Sequence, residues 1–409
     1  MYKALRDRDP VHHVERGDYW VLSRFAHGFR AARDTGTFSS AHGLTFEYDD
    51  RHKAGLDEIA PMVFLDPPDH TALRRLVARG FTPRQVAAIE PDVRLFVIER
   101  IERLRAGGAG DIVAELLKPL PSFVVAQYLG VPAEDRGRFD RWTHGIVAAN
   151  ALGDPMLAAD TVAELSSYFM ELIDRRCRHA GDDVVSELVQ ASDSPGVSAL
   201  QILGFAFTMV TGGNDTTTGL LSVGLELLAA APHQRGLLIK QPALVPSAVE
   251  ELLRLTSPVQ GLARTVTADV EFGPASAGLR GGTAPTSSYS RGNRGPTGPA
   301  IASTFDGIVI SKGKKVMLLF ASANRDEREF GPDAEQLDVT RRARQIVTFG
   351  SGPHHCLGAA AARLMGRVAL EELLARCPRF TVDPAAGRFA AGHFVRWYES
   401  LPFVADAGA

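Results

Sequence analysis

The sequence predicts a helix-rich α+β fold, and three observations carry that prediction. Three long segments, Pro91 to Ala106, Val162 to Arg178 and Gly358 to Arg376, space apolar residues three and four apart, the repeat of one face of an α-helix. Strand signals are few and short: Tyr19 to Leu22, Val270 to Phe272, Ile308 to Ile310 and Val316 to Phe320. They do not alternate regularly with helices, which argues against a parallel-sheet enzyme. With 409 residues, 45% apolar and 23% charged, the chain is globular and long enough for two ordinary domains or one large, well-buried unit.

Charge and cysteine usage exclude several classes. A net charge of −3 argues against a nucleic-acid binder, whose affinity rests on many basic phosphate contacts. Three widely spaced cysteines, Cys177, Cys356 and Cys377, form no disulfide framework and suit a reducing compartment. Residues Met1 to Asp7 carry no apolar signal core, and the most apolar stretch, Ile202 to Val210, is too short to span a bilayer. The expectation is a soluble protein of the cytoplasm, with no membrane and no nucleic-acid partner.

The longest helix is expected to start at Ser198, where Ser198-Ala199-Leu200-Gln201 fits a capping box, and to end before Pro232. At roughly 1.5 Å per residue it would cross a large domain from end to end. Its middle, Thr211 to Gly219, is a poor helix former, a local cost of the kind that marks function in a buried helix. Gly273 to Asp306 is rich in Gly, Pro, Ser and Thr, lacks acidic residues until Asp306 and shows no periodicity. With it removed, Val270-Glu271-Phe272 joins Gly307-Ile308-Val309-Ile310 as a short β-hairpin. The segment therefore reads as a low-complexity insertion (273–306) in a hairpin turn; a frame error in the coding sequence would leave the same pattern.

The sharpest chemical feature is Phe349-Gly350-Ser351-Gly352-Pro353-His354-His355-Cys356-Leu357-Gly358, followed at once by a helix. Its glycines let the backbone turn tightly and approach a flat ligand. Cys356 falls at the helix N-terminus, where the dipole is expected to lower the thiol pKa and hold a thiolate. Such a thiolate can ligate haem iron and push electron density toward bound oxygen. A lone Cys is more often a small core residue, and adjacent His354, His355 and Cys356 cannot readily supply three tetrahedral zinc positions.

The full ten-residue pattern resembles the signature of the cytochrome P450 family, and other motifs match it in order over nearly the whole chain. Glu251-Leu252-Leu253-Arg254 resembles the family's helical Glu and Arg pair, which joins a third residue matched by Arg341; the resemblance implies a structural, buried charge network. Gly212 to Thr217 is similar to the family's oxygen-binding segment, with Asp215 and Thr216 as the catalytic acid and alcohol that deliver protons during oxygen activation. His70 and Arg74, with Arg264 and His354, resemble the groups that contact the haem propionates, while Arg75 and Arg79 are expected to face outward. Phe349, Gly350 and Gly358 complete the implied cofactor-binding set, with Cys356 as the axial ligand. Asn324-Arg325-Asp326 and Phe330-Gly331-Pro332-Asp333 match a connecting segment with a structural role. Two features depart from the pattern: the chain begins inside the family's first helix, as if an N-terminal stretch were missing, and the 273–306 segment has no counterpart.

The resemblance implies a single 1–409 domain of the cytochrome P450 fold, mainly α with a small β-rich subdomain. It further implies haem b (iron protoporphyrin IX) buried between the long central helix and the Cys-loop helix, and a monomer. The implied reaction is monooxygenation by O2, with electrons from a ferredoxin fed by a reductase using NADH or NADPH. Arg341, Arg342, Arg344, Arg363 and Arg367 flank the Cys loop, and those not used internally could form a basic face for an acidic ferredoxin. Two other readings stay open: a peroxide-using haem-thiolate peroxygenase, and a non-catalytic haem or ligand binder. Expected pocket segments are Ala41 to Phe64, Trp142 to Arg178, Gly204 to Thr211, Val259 to Ala263 and Gly392 to Trp397. Phe46, Phe64, Phe205, Phe207 and Phe394 are available there to line a cavity for a hydrophobic small molecule.

Overall fold

In chain order the main helices are α1 (Asp69–Val77), α2 (Glu90–Gly107), α3 (Pro119–Tyr128), α4 (Arg136–Leu152), α5 (Ala159–Arg178), α6 (Ala199–Ala230), α7 (Val245–Thr256) and α8 (Ala359–Arg376). This computed structural model describes residues 1–48, 61–152, 155–191, 198–273, 307–392 and 394–405. The expected insertion beyond Gly273, and positions 49–60 of the first expected pocket segment, lie outside the described residues. The side chain of Arg79 lies outside them too, while Arg75 is exposed.

The long helix α6 starts where its capping box predicts: Ser198 Oγ accepts the Gln201 N–H at 3.2 Å and Gln201 Oε1 accepts the Ser198 N–H at 2.8 Å. Its unfavourable middle remains α-helical throughout. Thr208, Thr211 and Thr216 donate their hydroxyls, and Asn214 its side-chain amide, to carbonyls four residues earlier at 2.5–3.0 Å. These polar side chains so find partners within the helix instead of competing with it. Packing against α3, α4, α5, α7 and α8 supplies the rest, because tertiary burial outweighs intrinsic propensity.

The strands that bear on the site are β1 (Val11–Val14), β2 (Tyr19–Leu22), β3 (Phe38–Ser39), β4 (Leu262–Val266), β5 (Val270–Phe272), β6 (Ile308–Ile310) and β7 (Lys315–Leu318). Five of them form one sheet of order β1-β2-β7-β4-β3, with β2 and β7 parallel and the other neighbours antiparallel. β7 stops two residues before the expected end, because Phe320 opens a short helical turn. β5 and β6 pair antiparallel, Val270 opposite Ile310 and Phe272 opposite Ile308. The large apolar core lies among the helices, and a second one, including Leu22, Phe38, Phe272, Ile310 and Val316, lies against the sheet. β4 and the Cys loop reach the junction of the two, so the site draws on both. No helix among the described residues is long and apolar enough to cross a membrane.

Candidate active site

The Cys loop is pinned before it reaches the cysteine. Asn324 Oδ1 accepts the Val347 N–H at 2.9 Å, and its amide donates to Thr348 Oγ1 at 2.8 Å. Thr348 in turn donates to the Leu253 carbonyl of α7 at 2.8 Å. Asp326, from the same connecting segment, accepts the Phe25 N–H at 3.0 Å. Gly352 has φ +69°, and a Cβ there would meet Arg33 Cα at 2.9 Å, so the turn demands glycine. The Cys356 N–H then donates to the Phe349 carbonyl at 2.8 Å, closing the loop directly before α8.

Cys356 opens on a cavity of about 340 Å³, and its sulfur is accessible from that space although it lies deep in the molecule. Here the structure corrects one expectation. Burial pushes the thiol pKa up; the Gly358 N–H and the guanidinium groups of Arg74 and Arg363 oppose this without overcoming it. In dry surroundings the helix end stabilises the thiolate less than desolvation penalises it. A bound metal cation would reverse that balance.

Phe349, Gly350, Leu357 and Gly358 line the cavity beside Cys356, and Gly212, Gly213, Thr216 and Thr217 line it from α6. A Cβ on Gly212 would meet nothing within 4 Å, so the helix surface there is open space. Asp215 sits next to Thr216 in sequence but does not line the cavity. Burial raises its carboxyl to about 7, against a smaller opposing effect of Lys118.

One side of the cavity is rimmed by His70, Arg74, Arg264 and His354. Arg264 is buried, makes no salt bridge among the described residues and donates only to the adjacent Ala263 carbonyl at 2.7 Å. Burial brings its guanidinium down to about 10; Asp66 opposes this, but that carboxylate is already bonded to Ser39 and Ser40. The rings of His70 and His354 lie 4.2 Å apart, and His70 Nδ1 is buried without a partner. Burial, followed by the charges of Arg264, His70 and Arg74, pushes His354 down to about 3. Arg74 donates to the His355 carbonyl at 2.5 Å. This rim is a set of buried donors and cations short of negative charge. It therefore fits a flat dianionic group such as haem, with the metal toward Cys356 and its two carboxylates toward the rim.

Glu251, Arg254 and Arg341 also come together, behind the loop. Glu251 accepts two bonds of 2.7 Å from Arg254 and one of 3.1 Å from Arg341. Sequence reasoning missed Asp333 as a fourth member, 2.8 Å from Arg341. The arginines that flank the loop divide between internal partners and solvent. Arg363 is held by Glu250, and Arg367 by Glu90 and Glu371, which leaves Arg342 and Arg344 exposed.

The cavity wall corrects the expected pocket segments. Among the described residues, none from 142–178 or 392–397 lines it, and of the five named phenylalanines only Phe205 does. Phe46 and Phe394 instead pack together, 5.8 Å between ring centres, with Tyr19 on the other side of Phe46. Val124, Val125 and Tyr128 of α3, with Phe81 and Phe320, were missed. The helical spacing of Val124 and Tyr128 marks one face of α3, but nothing local says that this face meets a cavity rather than core.

Comparison with known proteins points in one direction. The family model described as Cytochrome P450 matches residues 301–387. The chain is 53% identical to "Cytochrome P450 130" of Mycobacterium tuberculosis, over 98% of this chain and 94% of that protein. It is 34% identical to "Vitamin D(3) 25-hydroxylase" of Pseudonocardia autotrophica, over 93% and 86%. Among solved structures, CYP109E1 from Bacillus megaterium in complex with corticosterone superposes with a TM-score of 0.81 at 27% identity, covering 99% of this chain and 97% of that one.

Proposed function

The chain belongs to the cytochrome P450 family, and from that membership we propose that it hydroxylates, or similarly oxidises, a hydrophobic small organic molecule in the cytoplasm with electrons from a ferredoxin. It is a monooxygenase, and its cofactor is haem. When bound, haem supplies the activation of O2. The observation that carries the assignment to this site is the cavity itself, one space lined by a thiol, by a hydroxyl-bearing helix and by cations with no carboxylate paired to them among the described residues.

In this reading Cys356 would hold the iron as a thiolate. Arg264, Arg74, His70 and His354 would meet the two propionates, and Phe349, Gly350 and Gly358 would lie along the flat face. The hydroxyl of Thr216, which donates to the Gly212 carbonyl at 2.9 Å, is a donor held at the cavity by its own helix. Asp215, titrating at about 7, holds and releases a proton near neutral pH, which suits a carrier behind that hydroxyl. The apolar wall of Phe81, Phe205, Val124 and Val125 excludes water and favours an apolar substrate. Vitamin D(3) and corticosterone, named for the similar proteins, are molecules of that kind. Arg342 and Arg344, exposed and shortly before the Cys loop in sequence, would offer cations to an acidic electron donor.

The test is spectral and kinetic. Reduced protein with carbon monoxide is expected to show the strongly red-shifted band of thiolate ligation; its survival in Cys356→His would refute Cys356 as the ligand. Thr216→Ala is expected to keep consuming NAD(P)H but to release much of the flux as peroxide; unchanged coupling of electrons to product would remove Thr216 from the proton path.

A further inference from the structure

Asp215 is buried, accepts no hydrogen bond from a side chain among the described residues, and is absent from the wall that Thr216 helps to form. A carrier so placed needs something on its other flank to govern its charge. Two packing contacts locate the candidate. Thr218, three residues after Asp215 on α6, donates to the Leu117 carbonyl at 3.2 Å, which brings the start of α3 against this turn of the helix. Gly219 lies so close to the chain at Trp397 that a Cβ would meet the Arg396 carbonyl oxygen at 2.5 Å and Trp397 Cβ at 3.3 Å. Lys118, the residue between Leu117 and α3, spans these two contacts and places its Nζ 5.7 Å from the centre of the Trp397 ring.

We propose that Lys118 is a positioning residue for oxygen activation: its half-buried ammonium, held between the start of α3 and the Trp397 ring, stabilises the Asp215 carboxylate and so sets when Asp215 releases and regains its proton. This rests on the reading of Asp215 as the proton carrier. The surroundings support this role: among the described residues, Lys118, seated beside the Leu117 carbonyl that Thr218 reaches, is the charge that opposes the effect of burial on Asp215. Burial, and then the charge of Lys118, lower the pKa of His144 on α4, with Asp140 opposing, which favours the neutral imidazole over a second cation. Asp140 is engaged by the Ser122 hydroxyl at 2.5 Å. The Trp397 face is a suitable seat, since a partly desolvated ammonium over an indole is attracted without being neutralised.

The experiment measures oxygen consumption and peroxide release by the holoenzyme with NADPH, a ferredoxin and its reductase across pH, which requires no identified substrate. Removing the ammonium in Lys118→Met or Lys118→Gln makes the carboxylate costlier, so the pH limb governed by Asp215 is expected to move upward by roughly one unit. Lys118→Arg is expected to keep the parent profile. In an Asp215→Asn background, Lys118→Met is expected to shift nothing further. A parent-like limb in both neutral variants, or a shift that persists without Asp215, overturns the role of Lys118. If Asp215→Asn alone behaves as the parent, the carrier reading falls, and the inference with it.

Discussion

Two clusters of charge adjoin the Cys loop, and they are built on opposite principles. In the first, every charge is answered. Arg254 is fully buried, yet it forks onto Glu251 and donates to the carbonyls of Asn324 and Ala334 at 2.6 Å, while Arg341 bridges Glu251 and Asp333. In the second, Arg264, Arg74, His70 and His354 crowd cations and donors together with no carboxylate paired to them among the described residues. A protein gains nothing from the second arrangement on its own, because desolvated like charges oppose one another. The closed cluster is framework; the open one is half of an interaction whose other half is anionic.

Breaking the closed cluster should produce the largest effect. Arg254→Met leaves Glu251 buried with Arg341 as its one ion-pair partner among the described residues, and the holoprotein is expected to lose about 3–5 kcal/mol in denaturant unfolding. Replacing Glu251 and Arg254 together by Met should cost less than Arg254→Met alone; if it costs more, attraction within the pair rather than an orphaned charge dominates.

Disturbing the open cluster should affect the ligand and spare the fold. Arg264→Met removes one charge-assisted partner, a loss of about 1.5–3 kcal/mol, so haem loss to a scavenging protein is expected to quicken on the order of tenfold to a hundredfold. The haem-free protein should unfold at the same denaturant concentration or a higher one. Destabilisation of the haem-free form would place Arg264 with the framework and erase the contrast.

The smallest effect is expected from a change outside both clusters in sequence. Halving the 274–306 segment shortens the connection between β5 and β6, whose pairing is set by Val270, Phe272 and their partners. Stability should rise by about 0.6 kcal/mol through loop closure alone, with haem loss unchanged. A change in haem loss would show that the segment communicates with the cavity.

Local sequence determined the parts whose physics is local. The Ser198 capping box, the three periodic helices, the glycine turn before Cys356 and the two strands of the hairpin each depend on residues within a few positions of one another, and they appear within three residues of where the pattern puts them. The order of motifs, read as a family resemblance, pointed to Cys356, Thr216, His70, Arg74, Arg264 and His354, which line the cavity, and to Asp215, which does not. Tertiary structure alone decided what depends on distance and desolvation. Among the described residues, it excluded 142–178 from the cavity wall and brought in α3, because a helix face does not record which neighbour covers it. It raised the Cys356 thiol pKa where the helix end argued for lowering it, because burial depends on every surrounding residue. It assigned Arg363 and Arg367 to acids remote in sequence, left Arg342 and Arg344 exposed, and packed the chain at Leu117 and Lys118 against the turn of α6 that follows Asp215, 97 positions on from Lys118. Spacing along a chain fixes which groups share a turn; only the folded path fixes which charges share a dielectric.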